Sequence, residues 1–378
     1  MATSKNNKPK PMVAVSLQAI DPYLERNIVS PFEKRSPGRD YIEWGDSNSY
    51  PDYLLDLYNN VPTLRSIING NVDFISGNDV TCVPFHGYPA GIMNTRGDNI
   101  REQVRDAALD FEIYGGFALQ VIRDHTGAVA EIYYIDVRFL RSNKENTVFY
   151  YSENWDKARR DMAVYPEFMP DLDWASLTDE ERDRHASSIV YVKNTHTQVY
   201  PAPLYAAAVK ACEIERGIDD YHLNSLANGF NSSMIVSFNA GIPDDEMKRE
   251  IEAQFNDKFA GSPNAGRILF SWNQSKENAT TFEYPKIEDF GDKYKALAEH
   301  SRQQIFTAFR ANSNLFGIAQ STGFSQEEYE QSFKLYNRTQ VRPVQRLLGD
   351  TYDRILGMPN CITIAPFSLE SQGEQTVS

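Results

Sequence analysis

The chain has 378 residues, 38 basic against 52 acidic, for a net charge of −14, with 21 Phe and 21 Tyr. The aromatic content excludes a disordered chain, and the length allows two or three domains at roughly 150 residues each. The acid excess argues against a static nucleic-acid binder, because phosphate binding is mostly electrostatic, but it leaves transient or steric contact with DNA open.

In chain order, Met1–Met12 is polar and basic through Lys5, Lys8 and Lys10 and reads as a flexible tail, lacking the apolar stretch of a signal peptide. Tyr50–Ile75 reads as helix, since Leu54, Leu55, Leu57, Tyr58, Val61, Leu64, Ile67 and Ile68 recur near helical spacing. Pro62 should break or bend it, and Gly77 and Asn78 should stop it. A strand at Val80–Phe85 and a helix at Asn99–Phe111 follow. Gly116–Arg123 and Ala128–Ile135 form a hairpin turned by Asp124–Gly127, and Asn146–Ser152 and Ser188–Lys193 are further strands. Between these last two, Asp156–Arg184 reads as acidic and irregular.

From Pro203 the character changes. Pro203–Asn228 is a long helical stretch with Pro203 near its first position and Gly229 closing it, spanning roughly 39 Å. Phe230–Phe238 is a strand, Pro243–Phe259 a helix, and Gly266–Trp272 and Thr280–Tyr284 strands. Asp289–Arg310 is a second long helix with Phe290, Tyr294, Leu297, Ile305 and Phe309 on one stripe. Asn312–Phe324 is a polar loop containing Gly317 and Gly323. Ser325–Glu328 is a capping box that opens a third long helix, Gln326–Leu356, with a kink expected at Pro343 and an end at Gly357. Cys361–Pro366 is a last strand and Ser368–Ser378 a polar tail. The fold class is α+β. The two long helices of similar length should pack antiparallel, with the small αβ insert at their far end. Lys210, Glu213, Glu215, Arg216, Asp219 and Asp220 make the first of them polar for a buried helix, so packing side by side in a ring would bury its remaining apolar stripe.

Catalytic signatures are missing. There is no Gly-Lys pair for a phosphate loop, and no GxGxxG, GxSxG or HExxH. Cys82, Cys212 and Cys361 stand far apart and form no disulfide framework, which suits a reducing compartment. Cys82 with His86 is a single pair with no partner pair, so no metal site is expected. Asp219–Asp220, Asp244–Asp245 and Glu327–Glu328 read as helix and helix-start acids rather than catalytic dyads. No apolar run reaches the ~18 residues of a membrane helix. No cofactor is expected.

From Tyr200 to Leu356 the residues resemble the portal proteins of tailed bacteriophages with HK97-like capsids. Pro201-Ala202-Pro203-Leu204, with Asn228-Gly229-Phe230 and Ser233-Met234-Ile235-Val236, is similar to that family's first stem helix and the strand after it. Pro243–Phe259 with Gly261–Phe270, including an Asn-Ala-Gly-Arg turn at Asn264–Arg267, is similar to the clip. Ile305–Phe309 and Leu315-Phe316-Gly317 match the end of the second stem helix and the loop behind it. Tyr50-Pro51, Leu54-Leu55, Leu57-Tyr58 and Tyr134–Arg138 resemble the wing. Where the family often has Val-Pro-Pro, this chain has Ala311-Asn312-Ser313, so no proline stiffens that junction.

The resemblance implies a flexible arm over residues 1–40, a wing over 41–200, stem helices over 201–230 and 286–311, and a clip over 231–285. It further implies a tunnel loop over 312–325, a long kinked helix over 326–357, and a C-terminal strand and tail over 358–378 with a reduced or absent crown. It implies a non-enzymatic ring of about twelve copies at one capsid vertex. Double-stranded DNA would pass through it without sequence specificity. The large terminase subunit, head-completion or adaptor proteins, and the capsid and scaffold proteins would dock on it. Location would be the virion, and the host cytoplasm during assembly. A negative channel wall would keep DNA from sticking. The tunnel loop would bring Asn312, Ser313, Asn314, Leu315, Phe316, Gly317, Gln320, Ser321, Thr322 and Gly323 toward DNA. Lys293, Lys295, Arg302 and Arg310 would face DNA or a neighbouring copy. Phe238, Phe255, Asn264, Arg267 and Trp272 would belong to the docking surface of the clip, and Pro343 would mark the bend. The alternatives are another phage head–tail component without a channel, or a cytoplasmic enzyme whose site is built from scattered residues.

Overall fold

Prolines set the first two helices. The computed structural model describes residues 31–36, 38–155, 162–227, 235–238, 243–251, 269–273, 275, 290–316 and 326–367. Strands β1 (Glu33–Arg35) and β2 (Ile42–Trp44) pair antiparallel ahead of α1 (Tyr50–Asn60). β1 therefore lies inside the expected arm, and Glu33 is fixed there by accepting the Tyr200 N–H at 2.8 Å. Pro51 lies in the first turn of α1 and Pro62 opens α2 (Pro62–Ser76), positions where a missing N–H costs nothing. Val61 between them is extended (φ −113°, ψ 104°), so the helix expected over 50–75 is two helices. Gly77 stops α2 with φ +62°, and a Cβ there would lie 1.9 Å from the Ala365 carbonyl oxygen. That oxygen belongs to β12 (Ile362–Ala365), which pairs antiparallel with β3 (Asp79–Cys82).

Asn99 caps α3 (Ile100–Tyr114) by accepting the Arg101 N–H at 2.9 Å, and left-handed Gly115 ends it. The hairpin follows as expected. β4 (Gly116–Arg123) is the central strand of an antiparallel sheet between β5 (Val129–Ile135) and β9 (Ser187–Lys193). A second sheet orders β6 (Leu140–Ser142), β7 (Val148–Tyr151) and β8 (Ala163–Pro166). The stretch expected to be irregular over 156–184 thus holds β8 and also α4 (Asp179–His185), opened by a capping box at Thr178 and Glu181.

The first long helix, α5 (Val209–Ala227), starts later than expected, after a single tight turn at Ala206–Ala208. Pro203 is not at its first position. The segment before it is held as a loop by Asn194, whose side-chain amide donates to the Ala202 carbonyl at 2.6 Å. Buried Tyr205 also holds it, donating to the Ile113 carbonyl at 3.0 Å. Its described residues therefore span roughly 28 Å. β10 (Ile235–Phe238) and β11 (Leu269–Trp272) run parallel, with helical residues 245–251 between them in sequence, the order of a β–α–β crossover. The second long helix is α6 (Phe290–Ala308).

The third long helix is interrupted. α7 (Gln326–Tyr336) passes into a π-helical turn, Asn337–Val341, and then into α8 (Arg342–Leu356) with Pro343 in its first turn. The Arg342 N–H bonds to the Asn337 carbonyl, five residues back. The irregularity expected at Pro343 therefore falls in the turn before it. A proline there would clash with the Thr339 carbonyl in a regular helix, and the wider turn relieves that clash. The main core lies where α2, α3, β4 and α8 meet, with Leu64, Ile67, Ile68, Val104, Ala108, Phe117, Leu119, Leu348 and Tyr352 wholly buried. The expected capping residue Ser325 lies outside the described residues.

Candidate functional site

The two long helices, α5 and α6, form an antiparallel pair joined by aromatic contacts at both ends. Near the body, Tyr205 stacks on Phe309 at 5.5 Å between ring centroids. At the other end Tyr221 stacks on Tyr294 at 5.0 Å. Since residue 205 meets 309 and residue 221 meets 294, the helices run in opposite directions, as their lengths and order predicted. Two contacts from α5 lock the pair to the body. Glu215 is buried and accepts from the Thr63 hydroxyl at 2.7 Å at the start of α2, while Arg216 pairs with Asp56 at 2.5 Å. Away from the body the pair thins. Ile214, Tyr221, Leu223 and Leu297 remain exposed, at 37%, 43%, 67% and 40%. An open cleft of about 550 Å³ lies where α2 meets the pair, lined by Thr63, Glu215, Asp219, Arg302 and Phe316 among others.

Of the basic residues expected on the second long helix, Lys295 and Arg302 are exposed and make no ion pair among the described residues. The side chain of Lys293 lies outside the description. Arg310 follows the helix with a left-handed backbone (φ 51°) and an exposed side chain.

The segment behind α6 begins as a tight turn, Ser313–Phe316. Asn312 builds it, accepting the Asn314 N–H on its side chain at 3.1 Å and the Leu315 N–H on its carbonyl at 3.0 Å. Asn312, Ser313 and Asn314 are half-buried. Leu315 and Phe316 are buried, which corrects the expectation that they reach outward. Phe316 packs against Phe74, Phe306 and Tyr336 at 6.0, 6.3 and 5.7 Å, and its ring covers Gly70, where a Cβ would come within 2.7 Å. Burying an aromatic ring is worth several kcal/mol, so this pair anchors the segment to the core. The signal was present in the sequence, as two adjacent large apolar residues in a polar stretch. Gly317, Gln320, Ser321, Thr322 and Gly323 lie outside the described residues.

In the insert, Phe238 and Trp272 stack face to face at 4.5 Å on the paired strands. The Asn273 N–H extends the pairing by donating to the Phe238 carbonyl at 2.8 Å. Asp244 caps the helical residues 245–251, accepting the Met247 N–H at 2.9 Å. Phe255, Asn264 and Arg267 lie outside the described residues.

Among the described residues no group of three or more His, Cys, Asp or Glu is placed to hold a metal, and no helix is long and apolar enough to cross a membrane. Two buried carboxyls lie on α3. Asp110 is wholly buried and its carboxyl is held well above the usual range by desolvation, and burial pushes Glu112 up to about 7. Glu112 accepts from the Asn71 amide at 2.7 Å, and Asn71 accepts from the Tyr336 hydroxyl at 2.7 Å. This chain ties α2 and α3 to the residue just before the π turn, a connection that no local sequence signal announces.

The described residues make a hairpin-rich body, an antiparallel helix pair, a small β–α–β insert and a long interrupted helix. The family model described as "Phage portal protein" matches residues 97–370, well over half of the chain, and the chain belongs to the phage portal protein family. That is a family of structural proteins. Among solved structures, the chain is similar to one from the virion of a native gene transfer agent particle. The TM-score is 0.53 and the identity 13%, covering 84% of this chain and 83% of that one. It is also similar to a chain from the neck of a native gene transfer agent particle computed with C12 symmetry. There the TM-score is 0.51 and the identity 14%, covering 85% and 86%. The neck of the empty particle computed with C6 symmetry gives a TM-score of 0.51 at 14% identity, covering 86% of each chain. These likenesses carry the fold. No curated protein sequence matches the chain.

Proposed function

We propose that copies of this chain close into a ring at one vertex of a phage-like capsid and that double-stranded DNA moves through its centre. The observation that carries this is the α5–α6 pair, held to the body at one end while Ile214, Tyr221, Leu223 and Leu297 stay exposed along it. Such a pair is incomplete alone, and side-by-side repetition around an axis buries what it leaves open. A ring of about twelve copies is the expected size, in keeping with the C12 symmetry of a similar neck. The protein is not an enzyme in this reading, and it resides in the virion after assembly in the host cytoplasm.

Asn312–Ser325 acts as the tunnel loop, with Asn312, Ser313 and Asn314 leading into it and Leu315 and Phe316 fixing its base. Gly317, Gln320, Ser321, Thr322 and Gly323 approach DNA. Lys293, Lys295, Arg302 and Arg310 face DNA or the next copy. The insert over residues 231–285 docks the large terminase subunit and the adaptor through a surface that includes Phe238, Phe255, Asn264, Arg267 and Trp272. Capsid and scaffold proteins surround the ring.

Native mass spectrometry of the full chain, with negative-stain images of the same sample, tests the reading. The expected result is a closed ring with a central hole. A chain that stays monomeric, alone and with capsid, scaffold and terminase proteins present, overturns it. If deleting Gln320–Gly323 leaves DNA packaging and retention unchanged, the tunnel-loop role is wrong.

A further inference from the structure

The chain carries an excess of acids, yet one face of its interrupted helix holds a row of unpaired cations. Arg338, Arg342 and Arg346 stand four residues apart and all are exposed. The opposite face, through Tyr336, Val341, Val344, Leu348 and Tyr352, is buried in the core. At 1.5 Å per residue the backbones of Arg342 and Arg346 stand about 6 Å apart along α8, and Arg338 lies one turn earlier, in the π turn. Arg310 adds a fourth charge across an open cleft of about 300 Å³, which it lines together with Leu335, Thr339 and Gln340. Among the described residues none of these four arginines forms an ion pair. Asp350, the next position in the series, ends the row without pairing to Arg346. By contrast Lys334, one step earlier, is already paired with Glu330 at 3.9 Å.

A row of this kind fits an anionic partner. Two are available in the proposed assembly, the phosphates of duplex DNA and the carboxylates of a second copy. A protein–protein interface has an apolar centre, and here the only large exposed apolar side chain on the described face is Leu335. The face around the arginines, with exposed Thr339, is polar and open, as DNA contacts are. The net charge of −14 does not cancel the row. At physiological salt, charges more than about 8 Å away are largely screened, so a phosphate beside the row meets chiefly the arginines.

We propose that Arg338, Arg342 and Arg346 form a contact line for the phosphate backbone of duplex DNA, on the long helix and outside the tunnel loop. The inference rests on the reading that the ring handles duplex DNA. Guanidinium groups donate to phosphate oxygens side-on without reading bases, so the contact is independent of sequence.

The test uses assembled full-length chain and a fluorescein-labelled duplex of random sequence, about 30 base pairs long, with anisotropy read between about 50 and 200 mM salt. Replacing all three arginines, R338Q/R342Q/R346Q, should weaken binding at low salt at least about tenfold. It should also make the log–log salt slope shallower by about 2.7, or about 0.9 for each phosphate that is no longer neutralised. The control R184Q, on an exposed arginine of α4, should leave the slope within about one unit of the original. Mass spectrometry of the same samples reports assembly. If the triple variant forms rings and keeps both affinity and slope, the proposal is wrong. If it binds DNA normally but no longer closes into rings, the row is a contact between copies and the proposal is equally wrong. If the unaltered rings form but bind no duplex even at low salt, this contact falls while the ring reading stands. If unaltered chain forms no ring, the ring reading itself has failed.

Discussion

The hairpin-rich body and the helix pair that leaves it are built on opposite terms. In the body, Trp44 is stacked flat on Tyr200 at 4.7 Å, 1% exposed, and even a wholly buried arginine is satisfied. Arg141 has no carboxylate partner; it donates to the side chain and carbonyl of Asn48 and to the carbonyls of Arg138 and Leu140, at 2.7–2.9 Å. Along α5 and α6, Ala211, Cys212, Ile218 and Ile305 are buried and aromatic pairs close the two ends, but the large side chains of Ile214, Tyr221, Leu223 and Leu297 face outward. The difference teaches where the fold is complete within one chain and where it awaits another. A body that buries its own core folds alone, whereas a pair of thinly packed helices gains most from neighbours.

The largest expected effect sharpens that contrast. Trp44→Ala should cost about 3–5 kcal/mol of folding stability, read from denaturant midpoints. Leu297→Ala in isolated copies should cost under about 0.5 kcal/mol, because its side chain already sees water. Equal losses at the two sites would erase the distinction.

A second test concerns pH and belongs to the body alone. Burial raises the Glu112 carboxyl from 4.5 to about 7, against the smaller opposing pull of the Asn71 amide. An acid raised on folding keeps its proton in the native state while the unfolded chain has lost its own. Native stability should therefore fall as pH climbs from about 4.5 to 7 and remain lower above that, by up to about 3 kcal/mol. Glu112→Gln keeps an acceptor for Asn71 and should flatten the slope, leaving the variant more stable than the original at pH 8. A variant with an unchanged slope would assign the pH dependence elsewhere.

Two glycines repeat the contrast. Gly115 has φ +85°, and a Cβ would sit 2.1 Å from the Ala202 carbonyl oxygen, so Gly115→Ala should destabilise the body. Gly217, inside α5, has nothing within 4 Å of an added Cβ. Gly217→Ala should raise the stability of isolated copies by about 0.5–1 kcal/mol, measured by thermal melting. If Gly217→Ala destabilises isolated copies, the helix is more tightly packed than its exposed side chains indicate.

What the sequence made legible was local. Pro62, Asn99 and the Asp124–Gly127 turn each act on their own few residues, and each element appears where its signal stands. The length and order of α5 and α6 sufficed for their antiparallel pairing, and family motifs from residue 200 onward gave the architecture. What was missed depends on distant partners. β8 exists because β7 lies beside it, and its short sequence carries little pattern. The start of α5 was misplaced because Pro203 is a valid helix opener, and only the tertiary hold on Ala202 and Tyr205 keeps it out. Pro343 announced an irregularity but not its form, since the π turn lies in the residues that yield to it. Within the candidate site, Asn312 and Ser313 fell where the polar loop begins, while Leu315 and Phe316 proved to be its buried base.

Hydrogen–deuterium exchange on isolated copies and on assembled rings of the full chain tests the central contrast most directly. Amides of Val209–Ala227 and Phe290–Ala308 should gain strong protection on assembly, while those of β4 and α3 stay as they were. Protection in the helix pair that is already complete in isolated copies, and unchanged in rings, would contradict the account.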